Sequence, residues 1–240
     1  MEKTNNTAVI LCAGRGTRLG DITKEVPKCL LDVHEKSILE RAIVNFLNNG
    51  VNKIILVVGF KMDKIKKKVS ELTDCATFIE NPEYASTNTL ISLWYARKYL
   101  SQGFWFLNGD VLFDFNAFSR FDNNVSQIGV IPGFCAEEEV KAKTDNESRV
   151  IALSKEVTPS EAGGEFVGLA YFNREFSQKL INCLDKCKQE TNSNKQYFEV
   201  AVECAMKEYP LFTANLKDIN CMEIDTVEDY QAAIEKWCER

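Results

Sequence analysis

Continuous apolar runs alternate with spaced apolar positions along the first half of this chain. Val9 to Leu11, Ile54 to Val58 and Phe104 to Leu107 are uninterrupted hydrophobic stretches, the pattern of strands buried on both faces of a parallel sheet. Between them, Ile38, Leu39, Ala42, Ile43 and Phe46 recur at helical spacing. So do Met62, Ile65 and Val69, and then Leu90, Leu93, Trp94 and Leu100. The first helix starts at Ser37 with Glu40 three residues on, a capping-box spacing, and closes at Asn49-Gly50, which tolerates positive φ. The pattern predicts strands at Val9–Leu11, Lys53–Gly59, Ala76–Glu80 and Phe104–Leu107, with helices at Lys61–Leu72 and Asn88–Leu100. That alternation belongs to a doubly wound parallel sheet.

The second half reads differently. Ile128–Ile131 and Phe166–Phe172 are strand-like and flank a polar stretch with Lys141, Lys143, Asp145, Glu147 and Gly163-Gly164, which suits a hairpin or a lid. Phe176–Cys187 and Phe198–Met206 read as helices and Leu211–Asn215 as a short strand. Thr226–Trp237 reads as a C-terminal helix, with Thr226 and Asp229 at capping-box spacing. The expected fold class is α/β: a single domain over 1–240, Rossmann-like, with a mostly parallel sheet flanked by helices.

Composition narrows the function. A net charge of -6 disfavours nucleic acid, which is met by a basic stripe; the Lys64, Lys66-Lys-Lys68 cluster reads as a solvated helix face. No run is long enough to span a bilayer, and Met1 to Thr7 is too polar for a signal peptide. Nine cysteines without paired spacing point to free buried thiols and a cytoplasmic setting. Cys183 and Cys187 share a helix face but have no further ligand for zinc, and the sole histidine, His34, falls in a polar turn.

The chemistry gathers after the first strand. Gly14 and Gly16 let the backbone turn tightly and offer amides to phosphate, Arg15 and Arg18 supply planar charged forks, and Pro27 stiffens the approach of Lys28. The stretch is no Walker A loop, since Gly20 is followed by Asp21, and it misses the dinucleotide fingerprint because Leu19 stands where the third glycine belongs. Asp110, after an apolar run and Asn108-Gly109, sits at the carboxyl end of a strand, where open α/β sheets gather ligands. Asp225 follows Cys221-Met-Glu-Ile224 and precedes a helix. By residue type alone, Asp110 reads as a turn residue and Asp225 as a helix cap.

Ala13-Gly-Arg-Gly-Thr-Arg-Leu19 followed by Pro27-Lys28 resembles the signature of the sugar-phosphate nucleotidyltransferase superfamily. Asn81-Pro-Glu-Tyr84 with Asn88, and Glu223-Ile-Asp-Thr-Val-Glu-Asp-Tyr230, resemble the small cytidylyltransferases that act on phosphocholine or 2-aminoethylphosphonate. The resemblance implies that a phosphate or phosphonate oxygen attacks the α-phosphorus of CTP and releases pyrophosphate, with Mg²⁺ held by Asp110 and Asp225. Lys28 and Arg18 become the catalytic cations. Leu11, Ala13, Gly14, Arg15, Gly16, Thr17 and Arg18, with Asn81, Thr87 and Asn88, become the nucleotide site, and Tyr84 a ring contact. The chain then divides into a nucleotide half (about 1–132), an acceptor half (about 133–222) and a metal-bearing end (about 223–240).

Within the acceptor half, Glu165, Tyr197, Glu199 and Glu203 can recognise an ammonium, although Phe198, Val202 and Met206 also make an ordinary apolar stripe. The acceptor half lacks the tryptophans of the phosphocholine enzymes. A homodimer is left open, as are a sugar-1-phosphate transferase using UTP, GTP or dTTP and an inactive nucleotide-binding regulatory module.

Overall fold

The computed structural model describes residues 6–237. In chain order it contains β1 (Thr7–Cys12), β2 (Asp32–Val33), β3 (Lys36–Ser37), α1 (Ile38–Asn48), β4 (Lys53–Val58), α2 (Met62–Ser70), β5 (Ala76–Glu80) and α3 (Thr89–Ala96). There follow β6 (Phe104–Asn108), β7 (Val111–Phe113), β8 (Gln127–Ile131), β9 (Lys141–Thr144), β10 (Val150–Ser154) and β11 (Gly164–Phe172). The chain ends with α4 (Arg174–Lys188), α5 (Glu199–Met206), β12 (Phe212–Asn215), β13 (Cys221–Glu223) and α6 (Val227–Lys236). Among the described residues no helix is long and apolar enough to cross a membrane.

The central sheet runs β10-β9-β11-β6-β1-β4-β5, with β8 beside β11 and β12 beside β8. β5, β4, β1 and β6 are parallel, so the expected Rossmann-like core is present and its strand ends open on one edge. Polarity reverses at β11, which lies antiparallel to β6 with Leu169 opposite Leu107. The start of β11, around Glu165, therefore hangs over the same edge as the end of β6. The polar stretch after β8 forms the hairpin β9–β10.

Strand alternation splits the core between the two sheet faces. Phe104, Phe106, Phe172, Phe176 and Phe198 pack on one side, and Phe46, Trp105, Leu107, Phe113 and Phe118 on the other. Each such side chain buried contributes about 1.5–3 kcal/mol before entropy is counted. Both capping boxes form: Ser37 Oγ accepts from the Glu40 N–H, and Thr226 Oγ1 from the Asp229 N–H. The helix expected to run to Leu100 changes at Arg97–Tyr99 to a tighter 3₁₀ turn. His34 heads the β2–β3 turn at φ 59°, its ring nitrogen hydrogen-bonding the Ile234 carbonyl at 2.7 Å. Lys68 of the basic cluster pairs with Glu40 at 3.0 Å, as a solvated face would.

The thiols need a correction. Cys183 and Cys204 form a disulfide between α4 and α5, with Cα atoms 5.9 Å apart. Their separation of 21 residues hides the pairing, which arises because the two helices pack face to face. Cys12, Cys29, Cys135, Cys187 and Cys221 are free and buried, as expected, while Cys75 is free but exposed; Cys238 and the polar start Met1 to Asn5 lie outside the described residues. The cysteine argument for a reducing compartment loses one pair.

Candidate active site

Two short elements unseen in the hydrophobic pattern bring distant carboxylates together. β7 and β13 pair antiparallel, Val111 opposite Glu223, and the Ile224 N–H donates to the Asp110 carbonyl at 3.1 Å. Asp110, just before β7, and Asp225, just after β13, thus meet at one point. Lys28 Nζ lies between them, donating to Asp110 Oδ2 at 2.7 Å and to Asp225 Oδ1. Arg18 reaches Asp225 Oδ2 at 2.7 Å.

Glycines permit this approach. Gly16 has φ 65°, and a Cβ there would stand 2.9 Å from Lys28 Cβ. A Cβ on Gly109 would meet the Leu11 carbonyl oxygen at 2.5 Å, so only glycine lets the turn before Asp110 close against β1. Burial disfavours the Lys28 ammonium, but Asp110 and Asp225 outweigh it and raise its pKa. For Asp225, burial pushes the carboxyl up while Lys28 and Arg18 outweigh it, so its pKa is lowered.

Glu223 adds a third carboxyl, half-buried and pushed up to about 8 by desolvation and by Asp110. It hydrogen-bonds Asn108 Nδ2 at 3.2 Å. Its position two residues from Asp225 across a strand end puts both on one side, a signal present in the sequence but not used there.

The donor set suits Mg²⁺. Asp110 Oδ1 and Asn108 Oδ1 are buried without a hydrogen-bond partner, a costly state that a cation or its water would relieve. Among the described residues no three or more His, Cys, Asp or Glu side chains form a complete metal cage. Magnesium at Asp110 and Asp225 would thus take its remaining ligands from water and phosphate, as it does in phosphoryl-transfer sites.

These groups face an open cleft of about 850 Å³. Leu11, Ala13, Gly14, Gly16, Thr17, Arg18, Lys28, Tyr84, Thr87 and Asn88 line it, with Asp110, Glu165, Tyr197, Glu199 and Asp225. Three expected residues stand elsewhere. The Arg15 guanidinium rests 5.7 Å from the centre of the Tyr84 ring, outside the lining. Asn81 turns inward, donating to Thr87 Oγ1 and Ser92 Oγ at 3.1 and 3.0 Å while accepting from the Glu83 N–H, so it shapes the turn. Glu203 accepts from the Leu153 N–H at 2.9 Å and serves β10. Lys155 also lines the cleft and was not expected there; it sits in the turn after β10, where no periodicity marks orientation, while Glu138 and Glu139 line the cleft from the loop before β9.

The acceptor end carries perturbed carboxyls. Burial pushes Glu165 up to about 7, helped by Glu139 and Asp229. Glu199 is also pushed up to about 7 by burial, with its own backbone N–H and Lys155 opposing and Glu203 assisting. Perturbed carboxyls gathered in a cleft are a mark of functional sites.

A family model described as Nucleotidyl transferase matches residues 7–237. The chain is 26% identical over 227 residues to a choline-phosphate cytidylyltransferase of Streptococcus pneumoniae, covering 93% of this chain and 95% of that one. It is 26% identical over 234 residues to a 2-aminoethylphosphonate cytidylyltransferase of Lancefieldella rimae, covering 96% and 92%. The solved structure of the Streptococcus pneumoniae CTP:phosphocholine cytidylyltransferase superposes with a TM-score of 0.83 at 25% identity, over 98% of this chain and all of that one.

Proposed function

This chain belongs to the nucleotidyl transferase family, and from that premise we propose that it moves CMP from CTP to a small phosphorylated or phosphonate alcohol, releasing pyrophosphate. The observation that carries this reading is Lys28 held between Asp110 and Asp225 beside the glycine loop, on the edge where strand ends open.

In this reading the loop amides and Arg18 hold the β- and γ-phosphates, and Lys28 turns from its carboxylates to the α-phosphate. An oxygen of the acceptor phosphate or phosphonate attacks the α-phosphorus in line as the bond to pyrophosphate breaks. That oxygen is already ionised, so no general base is required. The protein's work is to neutralise charge between two anions and to align them. Magnesium at Asp110 and Asp225, when bound, would supply further neutralisation and align the triphosphate. In the same reading, main-chain groups from Leu11 to Gly14, with Thr87 and Asn88, would read the base. Phosphocholine and 2-aminoethylphosphonate, named for the relatives, are the first acceptors to try. A homodimer and a cytoplasmic setting accompany the proposal as expectations.

The test is a matrix of four nucleoside triphosphates against those acceptors, phosphoethanolamine, glycerol phosphate and several sugar-1-phosphates, scored by pyrophosphate release with Mg²⁺. Release confined to CTP with a small alcohol phosphate or phosphonate supports the reading. Release only with UTP, GTP or dTTP and a sugar-1-phosphate replaces it, and no release under any pairing leaves a regulatory module.

A further inference from the structure

The acceptor end of the cleft separates two kinds of cation by their chemistry. A quaternary ammonium has no N–H to donate and is held by open aromatic faces. A primary ammonium has three N–H donors and is held by carboxylates. The side chains facing this end can therefore be sorted by which of these they leave unoccupied.

The aromatic rings that line the cleft already have close neighbours. Lys155 Nζ sits 5.1 Å from the centre of the Tyr197 ring, and the Arg15 guanidinium 5.7 Å from that of Tyr84. Phe166 is buried with its ring 6.1 Å from Phe198 in an edge contact. Phe134, in the neighbouring loop, is 93% exposed and covers nothing. Among the described residues, every aromatic ring that lines the cleft has a cation or a second ring beside it.

The carboxyl groups are the unsatisfied element. Glu199 is only 7% exposed, lines the cleft, and its Oε2 is buried without a hydrogen-bond partner. Lys155 is near enough to favour its charged form but makes no hydrogen bond to it, and burial still holds Glu199 at about 7. Glu165 lines the same cleft as a second, half-buried carboxyl. A buried acceptor atom left unpaired costs about 1–3 kcal/mol, which a donor from the ligand would recover.

We infer that the acceptor carries a primary ammonium, received by Glu199 and Glu165, and that Lys155 sets this preference by covering the Tyr197 face a trimethylammonium would need. The inference rests on the CMP-transfer reading for the other end of the acceptor, and it deepens that reading by naming the class of the tail.

Two measurements separate the inference from its premise. The first is pyrophosphate release with CTP and Mg²⁺, comparing 2-aminoethylphosphonate and phosphoethanolamine with phosphocholine. The primary amines are expected at least tenfold ahead in kcat/KM. Glu199→Gln should raise their KM about tenfold while leaving the KM for CTP within twofold. Lys155→Ala should narrow the gap by improving phosphocholine. The second is calorimetric titration of 2-aminoethylphosphonate and phosphocholine into wild-type protein and both variants, which needs no turnover. Binding of the primary amine that is weakened by Glu199→Gln sustains the inference even if CTP proves not to be the donor, in which case only the transfer reading falls. CTP-dependent turnover that runs equally well or better on phosphocholine or glycerol phosphate overturns the inference and leaves the transfer reading standing. So does a Glu199→Gln protein with an unchanged acceptor KM. If neither amine binds or reacts, the inference falls.

Discussion

Replacing Lys28 by Ala perturbs the centre of the cleft in two ways that can be measured apart. The ammonium is 2.7 Å from Asp110 Oδ2, a gross attraction of about 6 kcal/mol at an effective dielectric of 20. Desolvation of the three charged groups offsets much of it, since the Lys28 side chain is 12% exposed and each aspartate 26%. Breaking such a partly buried pair from one side costs about 3–5 kcal/mol, because the carboxylates are left facing each other. That loss should appear as a lower Tm for metal-free Lys28→Ala, and Mg²⁺ should restore part of it by replacing the missing charge. Turnover follows a different path. The lysine is assigned to the α-phosphate as charge moves through the transition state, and removing one preorganised donor of that kind costs about 10²–10³ in kcat. Pyrophosphate release at saturating CTP and acceptor, set beside Tm with and without Mg²⁺, checks both. A variant that keeps near-normal kcat would refute the assigned role, and one whose Tm does not respond to Mg²⁺ would refute the placement of the cation between Asp110 and Asp225.

Three further outcomes are expected. Glu165 and Glu199, both held near 7 by burial, bind protons in the folded state that the unfolded chain has released; their contribution is full below the ordinary carboxyl value of 4.5 and is lost as pH rises through about 7. The ligand-free protein should accordingly lose stability across that window, by about 3 kcal/mol at most per group, and Glu199→Gln should flatten the fall in a Tm-against-pH series; an equal fall in the variant would show that Glu199 does not contribute to it. Gly16→Ala forces a side chain into φ 65° and against Lys28 Cβ; it should cost about 1–2 kcal/mol of stability and lower kcat more than it raises the KM for CTP, whereas a variant with wild-type kinetics would show that Lys28 is not seated by this glycine. Reducing the Cys183–Cys204 bond, which closes a loop of 21 residues, should cost about 3 kcal/mol and lower Tm in the presence of a phosphine reductant, while an unchanged Tm would show that the link adds no stability.

Much of this was legible in the sequence because the signals were local. The apolar runs of β1, β4 and β6, the two capping boxes and the turn before Asp110 are each fixed by residues a few positions apart. Lys28, Asp110 and Asp225 were named through motif resemblance, and the structure brings them to one point. What stayed hidden depends on packing between distant segments. The β7–β13 pairing rests on strands of three residues each, too short for alternation to register. The disulfide needs α4 and α5 to be placed before Cys183 and Cys204 can meet. Asn81 reads as a polar turn residue open to a base, yet its donors are consumed by Thr87 and Ser92. Lys155 is one charged residue among many until Tyr197 is set beneath it.

Isotope position gives the most direct test of CMP transfer. CTP labelled at the α-phosphorus and CTP labelled at the γ-phosphorus are each incubated with protein, Mg²⁺ and 2-aminoethylphosphonate, and the products are separated. The α-label should pass to the acceptor, and the γ-label should leave as pyrophosphate in equal amount, with both transfers lost in Lys28→Ala. Release of γ-label as inorganic phosphate, or α-label that remains in free cytidine nucleotides while the acceptor stays unlabelled with every small phosphate tried, would contradict attack at the α-phosphorus.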